Sequence, residues 1–116
     1  MGESVMDRID LLLNLRELNP AVVPVNLLNP RPGTPLGPVA PLSTLSAVLW
    51  IAIARLILPD AVIKVGGGRE AILREFQGLA LLAGADGLII GGYLTTPGRP
   101  PAEDLRMAVD CGLRPA

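Results

Sequence analysis

The sequence predicts an α/β fold in which helices and strands alternate, and three observations support that prediction. Three short apolar runs, at 22–28, 61–65 and 87–91, are bounded by Pro and Gly, as is typical of buried strands. Segments with apolar residues at helical spacing precede, separate and follow these runs. The resulting order α-β-α-β-α-β-α implies parallel strands, right-handed crossovers and apolar cover on both faces of the sheet.

The elements of the first half are marked by their boundary residues. Ser4 and Asp7 have capping-box spacing, which predicts a helix that begins after Ser4 and ends at Asn19-Pro20. The β-branched run VVPVNLL at 22–28 is the first predicted strand, and the Pro- and Gly-rich residues 29–41 form a loop. A helix over about 43–58 is apolar almost all round, so we expect burial on more than one side.

The second half continues the alternation. AVIKV at 61–65 is the second predicted strand, and the turn GGGR leads into a helix over about 70–82 that ends at Ala83-Gly84. GLIIG at 87–91 is the third strand. Pro100 and Pro101 open a last helix, which closes at Cys111-Gly112. Because a closed eight-stranded α/β barrel takes roughly 250 residues, a chain of 116 is either a very small three-layer sheet or part of a barrel.

Composition excludes several classes of function. The chain is 50% hydrophobic and 3% aromatic, and its net charge of −1 is scattered, so we expect neither a nucleic-acid surface nor a polybasic membrane patch. No apolar run reaches the roughly 18 residues of a membrane helix, and the acidic N-terminal residues do not fit a secretory signal. A lone Cys111 and the absence of histidine exclude a disulfide framework, multi-thiolate metal sites and His-based chemistry. We expect a soluble, cytoplasmic protein.

The carboxyl ends of strands carry the working residues of α/β barrels, and two candidate side chains lie at such positions. Period-two alternation places Asn26 on one face with Val22 and Pro24, and its amide suits an amide-like or urea-like ligand. Alternatively, Asn26 satisfies the backbone of its own loop. Lys64 shares a face of the second strand with Val62. If this face is inside a barrel, the lysine must pair with an anion or shift its pKa. Alternatively, its side chain lies at the end of the strand and extends to solvent.

Two glycine-rich turns extend this candidate site. GGGR at 66–69 opens a helix whose free N–H groups can hold an anion, although a tight strand–helix connection explains the glycines equally well. In GGYLTTP at 91–97, the hydroxyls of Thr95 and Thr96 and the glycine amides can bind a carboxylate or phosphate. No nucleophile–base pair is recognisable, and Cys111 reads as a packing residue. The residues alone therefore suggest an anion-binding half-barrel.

Three long motifs carry a resemblance to a known family. VPVNLLNPRPGTPL (23–36), RLILPDAVIKVGGGRE (55–70) and GADGLIIGGYLTTPGRPPAEDL (84–105) resemble, in this order, the C-terminal half of biotin synthase. That enzyme is a radical S-adenosylmethionine barrel that inserts sulfur into dethiobiotin. The resemblance implies that residues 1–116 form half of a TIM-type barrel, namely its sixth to eighth strands with four helices, and that the chain begins partway through the domain.

The resemblance also implies roles for individual residues. Thr95 and Thr96 match hydroxyls that bind the carboxylate tail of dethiobiotin, and Asn26 matches the amide that hydrogen-bonds its ureido ring. Lys64 stands where the family has an arginine that ligates a 2Fe–2S cluster, and the two side chains are not equivalent. The implied cofactors are S-adenosylmethionine and the 4Fe–4S and 2Fe–2S clusters, but Cys111 matches none of the cysteine ligands.

These features leave three functions open. The first is a biotin synthase C-terminal part that is inactive alone, with dethiobiotin as ligand and a cysteine-rich N-terminal half as partner. The second is a stand-alone module for a small carboxylate or phosphate. The third is an interaction protein whose open sheet edges pair with another chain, including a second copy of itself.

Overall fold

The computed structural model describes residues 1–92 and 98–114, and its centre is a three-stranded parallel sheet. The strands lie side by side in the order β1-β2-β3, which is also their order along the chain. Their bounds are β1 Val22–Val25, β2 Val62–Val65 and β3 Gly87–Leu88. The predicted alternation and parallel direction are confirmed, but β1 and β3 are shorter than the apolar runs that predicted them.

The described residues form five α-helices, which pack on one face of the sheet, instead of the four helices that the sequence predicted. Their bounds are α1 Val5–Leu18, α2 Thr44–Ile57, α3 Arg69–Ile72, α4 Gln77–Leu82 and α5 Pro101–Asp110. The extra helix arises because the segment predicted as one helix over 70–82 is interrupted by a 3₁₀ turn at Arg74–Phe76. No described helix is both long enough and apolar enough to cross a membrane.

The interruption between α3 and α4 has a visible physical cause. Arg74 adopts a left-handed backbone conformation with φ of 51°, which breaks the helical path. Two carbonyl groups at the break instead accept hydrogen bonds from side chains: Thr44 Oγ1 donates to Ile72 O at 2.7 Å, and Gln77 Nε2 donates to Arg74 O at 3.0 Å. One tertiary and one local side-chain hydrogen bond therefore satisfy carbonyl groups at the break in the predicted helix.

The sheet buries one face and leaves the other open. Val23 pairs with Ile63 and Val25 with Val65, and these side chains turn toward the helices. On the opposite face, Val22 is 46% exposed and Val62 is 39% exposed. The helices of the described chain pack in a single layer, so within it the apolar cover expected on both faces is found on one face.

The core between the sheet and this helical layer is aliphatic, as the composition predicted. Helix α2 contributes the buried stripe Ala47, Ile51 and Ala54, whose small and branched side chains contact Ile63 and Val65. Fully buried positions of α2 are confined to this stripe, so the helix is less buried than predicted. Other apolar side chains of α2 are half-buried, such as Val48 and Ile57, or exposed, namely Leu45, Leu49 and Leu56.

Helix α1 begins and ends as its sequence predicts. Ser4 Oγ accepts a hydrogen bond from Asp7 N at 3.1 Å, and Asp7 Oδ2 accepts one from Ser4 N at 2.7 Å, which completes the capping box. The Ser4 backbone N–H, and then its hydroxyl, lower the pKa of Asp7 below its usual value. At the other end, Asn19 adopts the left-handed conformation that commonly closes a helix.

A half-buried arginine joins the elements at the end of the sheet where β2 and β3 begin. The Arg55 guanidinium of α2 donates to the carbonyl oxygens of Gly84, Leu58, Pro59 and Ala61 at 2.9–3.0 Å. It also forms an ion pair with Asp86, which in turn accepts a hydrogen bond from Ile63 N at 2.7 Å. This cluster fixes the end of the sheet opposite the candidate site.

A fully buried ion pair joins the helices that follow β2 and β3. Arg69, the first residue of α3, is 0% exposed, and Asp104 in the first turn of α5 is 2% exposed. The guanidinium donates to both carboxylate oxygens of Asp104, at 3.0 and 2.5 Å, and also to Gln77 Oε1. Such bidentate geometry compensates the loss of hydration that burial imposes on both charges.

We predict that this pair tolerates loss of both partners far better than loss of one. Asp104→Leu should lower the free energy of unfolding by about 3–5 kcal/mol, because it removes the bidentate counter-ion of the buried Arg69 charge, and the ion pair with Glu70, at 3.3 Å, is longer. The double substitution Arg69→Met with Asp104→Leu should recover most of that loss. Chemical denaturation measures both values.

Glu103 provides the matched control for this comparison. It precedes Asp104 in the same helical turn, but its ion pair with Arg99 lies at the surface. Glu103→Leu should therefore change the free energy of unfolding by about 1 kcal/mol or less. If the double variant were as unstable as Asp104→Leu, the explanation based on an uncompensated charge would be wrong.

Candidate functional site

The candidate site lies where β1 and β2 end, on the open side of the sheet. Asn26 directly follows β1, and the glycines 66–68 directly follow β2. Because β1 and β2 are parallel and in register, these two segments leave the sheet side by side. The chain thus brings an amide side chain next to a turn made only of glycine.

The backbones of these two segments remain hydrogen-bonded beyond the strands. Gly66 N donates to Val25 O at 2.8 Å, and Leu27 N donates to Gly67 O at 2.9 Å. Gly68 has φ of +82° as the residue before α3, and a side chain there would collide with the Leu27 carbonyl oxygen. Close approach of two backbones therefore requires glycine at position 68.

The side chain of Asn26 takes part in the same contact. Its Oδ1 atom accepts a hydrogen bond from Gly67 N at 2.8 Å. The sequence left open whether this amide serves a ligand or its own loop, and in the structure its oxygen serves the backbone of the turn after β2. Among the described residues, the Asn26 Nδ2 group donates no hydrogen bond to protein, so its two N–H groups remain available at an exposed position.

Lys64 lies on the open face together with Val62, as alternation predicted. It pairs with Pro24 of β1 and Gly87 of β3, which places it in the middle strand. Its side chain is exposed, and no ion pair among residues 1–92 and 98–114 includes it. The ammonium group therefore keeps its hydration in this chain, and the cost of burial that the sequence suggested does not arise.

The third predicted group of site residues, GGYLTTP at 91–97, lies only partly within the described residues. Thr95 and Thr96 lie outside the described residues, so their proposed contact with a carboxylate stays a prediction. The residues on either side of them are described: a side chain at Gly98 would collide with the Gly91 carbonyl oxygen. The chain therefore enters and leaves this segment at nearly the same point, after β3 and before α5.

The residues of this chain do not by themselves fit an iron–sulfur cluster. Cys111, the only cysteine, caps α5 on the helical side of the sheet, and its Sγ contacts Gly78 O at 3.7 Å. Lys64 is exposed on the opposite face. Within the described part of the chain, no group of three or more His, Cys, Asp or Glu residues could hold a metal ion.

The buried residues that hold this site in place were not predicted from the sequence. Arg69 was placed in the glycine-rich turn GGGR without a contact, and no role was assigned to Asp104. One signal was available. Asp104 stands at i, i+3, i+4 and i+7 spacing with Met107, Ala108 and Cys111, so an acid occupies the apolar stripe of α5 and needs a buried cation.

The fold and the site together define an α/β domain that presents polar side chains at the carboxyl ends of parallel strands. Comparison with protein families gives this class a name. Residues 24–114 match the Biotin and Thiamin Synthesis associated domain. Because the match covers most of the 116 residues, the chain belongs to this domain family.

Curated relatives carry the identification one step further. The chain is 52% identical over 114 residues to biotin synthase from Rippkaea orientalis, covering 98% of this chain and 31% of that protein. It is 50% identical over 113 residues to biotin synthases from Trichlorobacter lovleyi and Heliobacterium modesticaldum, covering 97% of this chain and 34% and 35% of theirs. The chain thus spans about a third of the length of these relatives and matches their C-terminal region. The resemblance to biotin synthase is confirmed.

We predict that the three glycines after β2 differ sharply in their tolerance of a side chain. Gly68→Ala should lower the free energy of unfolding by more than the roughly 1–2 kcal/mol of left-handed strain, because the new methyl group also meets the Leu27 carbonyl. Gly67→Ala should change it little, since the nearest atom would lie 3.5 Å away at Asn26 Oδ1. Thermal and chemical unfolding of the two variants provide the measurement, and equal effects would contradict the described turn.

Proposed function

We propose that this chain supplies the substrate-binding C-terminal part of a biotin synthase, which inserts sulfur into dethiobiotin during biotin synthesis. The observation that carries the proposal is identity of about half of all residues, over nearly the whole chain, to the C-terminal region of biotin synthases. In this proposal Asn26 hydrogen-bonds the ureido ring of dethiobiotin, and Thr95 and Thr96 bind its carboxylate tail. The exposed position of Asn26 at the end of β1 supports the first contact.

The open face of the sheet is consistent with a larger assembly. Val22 and Val62 expose apolar surface there, and within residues 1–92 and 98–114 β1 pairs with another strand along one edge only. We propose that this surface is part of the interior of a TIM-type barrel, of which residues 1–116 form half. The complementary half would contain the cysteines, either in the same polypeptide or in a partner; pairing with a second copy is the alternative.

Lys64 has an electrostatic role in this proposal. The resemblance puts it at the position of an arginine that ligates a 2Fe–2S cluster, but a lysine is a compact, strongly hydrated point charge without the planar guanidinium, so the two side chains are not interchangeable. We therefore assign it the balancing of negative charge on the open face, where it stands beside Pro24 and two residues before Gly66. S-adenosylmethionine and both clusters belong to the complete enzyme, and no catalytic step is assigned to residues of this chain.

A second candidate function rests on the same exposed lysine. Because Lys64 is accessible and the Asn26 Nδ2 group is unpartnered within the described residues, the face offers donors to a small carboxylate or phosphate without any complementary half. Such a stand-alone module would bind acetate or inorganic phosphate as well as dethiobiotin. Binding measurements separate it from the first proposal.

We predict that the 116-residue chain binds dethiobiotin but forms no biotin. Isothermal titration should detect binding to the wild type and an affinity on the order of tenfold lower in Asn26→Leu, the effect of losing one hydrogen bond to the ligand. Asn14→Leu, an exposed substitution on α1, serves as the matched control and should leave the affinity unchanged. Incubation with iron, sulfide, S-adenosylmethionine and dethiobiotin should yield no biotin.

Three results decide between the proposals. Catalytic formation of biotin by the chain alone would contradict the assignment of the clusters to a complementary half. Equal affinity for acetate, phosphate and dethiobiotin would favour the stand-alone module. No binding of dethiobiotin, or equal binding by wild type and Asn26→Leu, would contradict the proposed role of Asn26.

A further inference from the structure

The outer edge of β1 carries backbone groups that no other strand of the described chain uses. Along the inner edge, Val62 N donates to Ala21 O at 2.9 Å. Further along the same edge, Gly66 N donates to Val25 O at 2.8 Å. Because the hydrogen-bonding direction of a strand alternates from one residue to the next, the residues between these acceptors at even positions point their backbone groups away from β2. They are Val22 and Pro24, followed by Asn26 just beyond the strand.

Pro24 interrupts the row of donors on this outer edge. A proline has no backbone N–H, so the edge offers N–H groups at Val22 and Asn26 but only a carbonyl oxygen between them. Val22 and Pro24 are both exposed, which leaves the interruption open to an approaching strand. Within sheets, proline is largely confined to edge strands because it removes one hydrogen bond from a ladder. Pro24 therefore leaves the pairing with β2 intact and restricts what can pair on the other side.

The interruption affects two kinds of partner differently. A strand of another sequence, with an N–H at every position, loses one hydrogen bond when it pairs with this edge. A second copy brings its own Pro24, so two copies that pair through their β1 edges lose two hydrogen bonds. The loss is large for a strand of four residues. Proline on an exposed edge is one of the features by which proteins prevent such pairing.

We propose that the outer edge of β1 is an interaction surface for a parallel strand of another sequence, and that Pro24 prevents two copies of this chain from pairing through it. The parallel direction continues that of the sheet, in which both strand pairs are parallel. The identity of the partner rests on the proposed function, which makes it a strand of the complementary half. The arrangement of donors along the edge does not depend on that function.

Restoring the missing donor tests the role of Pro24. Pro24→Val supplies an N–H on the outer edge, keeps the hydrogen bonds to β2 and introduces a residue that favours strands. Analytical ultracentrifugation should give a dimer dissociation constant at least about tenfold lower for this variant than for the wild type, because a symmetric dimer gains two hydrogen bonds. Affinity for the N-terminal two thirds of the Rippkaea orientalis biotin synthase should rise less, on the order of threefold, since one bond is restored.

Pro41→Val is the matched control, since it makes the same exchange at an exposed loop position outside the strands. It should leave self-association at the wild-type level. Circular dichroism should show wild-type secondary structure in both variants, which excludes association through unfolded chains. An unchanged dissociation constant in Pro24→Val, or the same decrease in Pro41→Val, would overturn the role assigned to Pro24.

Amide hydrogen exchange locates the interaction surface without a substitution. In the wild type alone, the protection factors of the Val22 and Asn26 amides should be at least about tenfold lower than those of Val23 and Val25, which point toward β2. Addition of the N-terminal two thirds of the relative should protect the two outer amides. Protection of Val22 in the wild type alone would contradict the inference.

The same measurement separates the inference from the proposed function. If the complex forms and the Val22 and Asn26 amides stay unprotected, the edge is not the interaction surface, although the larger assembly stands. If no complex forms at all, the proposed barrel and the assigned partner fail together.

Discussion

The arrangement of the chain after β2 depends on burying one guanidinium group. Arg69 is 0% exposed, and a charge in that environment is tolerated only where counter-charge and hydrogen-bond acceptors surround it. Besides the neighbouring Glu70, whose ion pair with Arg69 measures 3.3 Å, the partners include residues of two later elements, Gln77 in α4 and Asp104 in α5. Both helices therefore help to satisfy the charge, and this constrains where α4 and α5 lie relative to α3.

The same stretch of sequence connects this buried charge to the candidate site. In KVGGGR, residues 64–69, the lysine faces the open side of the sheet, the glycines pack on Asn26 and Leu27, and the arginine enters the helical layer. Six residues thus span the sheet from its open face to its buried side. Displacement of Arg69 would move the Gly67 amide and thereby reorient the Asn26 side chain. Contacts of Arg69 on the buried side of the sheet thus hold the hydrogen-bonding groups on the open side in place.

Local patterns predicted most elements, and the sequence motifs predicted the resemblance to biotin synthase, whereas the features that were not predicted depend largely on long-range contacts. The capping residues Ser4 and Asp7 and the closing Asn19 fix α1 through bonds within a few residues, so sequence suffices there. Arg74 leaves the helical conformation because Thr44 and Gln77 bind the carbonyls around it, and Thr44 lies 28 residues from its partner Ile72. Asn26 lies at the end of β1 as predicted, but the direction of its amide depends on Gly67, 41 residues away. The described helices form one layer, so they cover one of the two faces for which apolar cover was expected.

We propose that the open face of this sheet forms the interior of a larger barrel. The solvent accessibility of Lys64 tests this proposal, because Lys64 lies on that face and is the only lysine in the chain. We would follow amine acylation of the peptide that contains Lys64 by mass spectrometry. One sample is the chain alone, and the other contains the chain with the N-terminal two thirds of the Rippkaea orientalis biotin synthase. The account predicts rapid labelling of the exposed lysine in the chain alone and labelling at least about tenfold slower in the complex, since a side chain enclosed in a barrel is largely withdrawn from solvent. Formation of a stable complex with Lys64 labelled at an unchanged rate would contradict it.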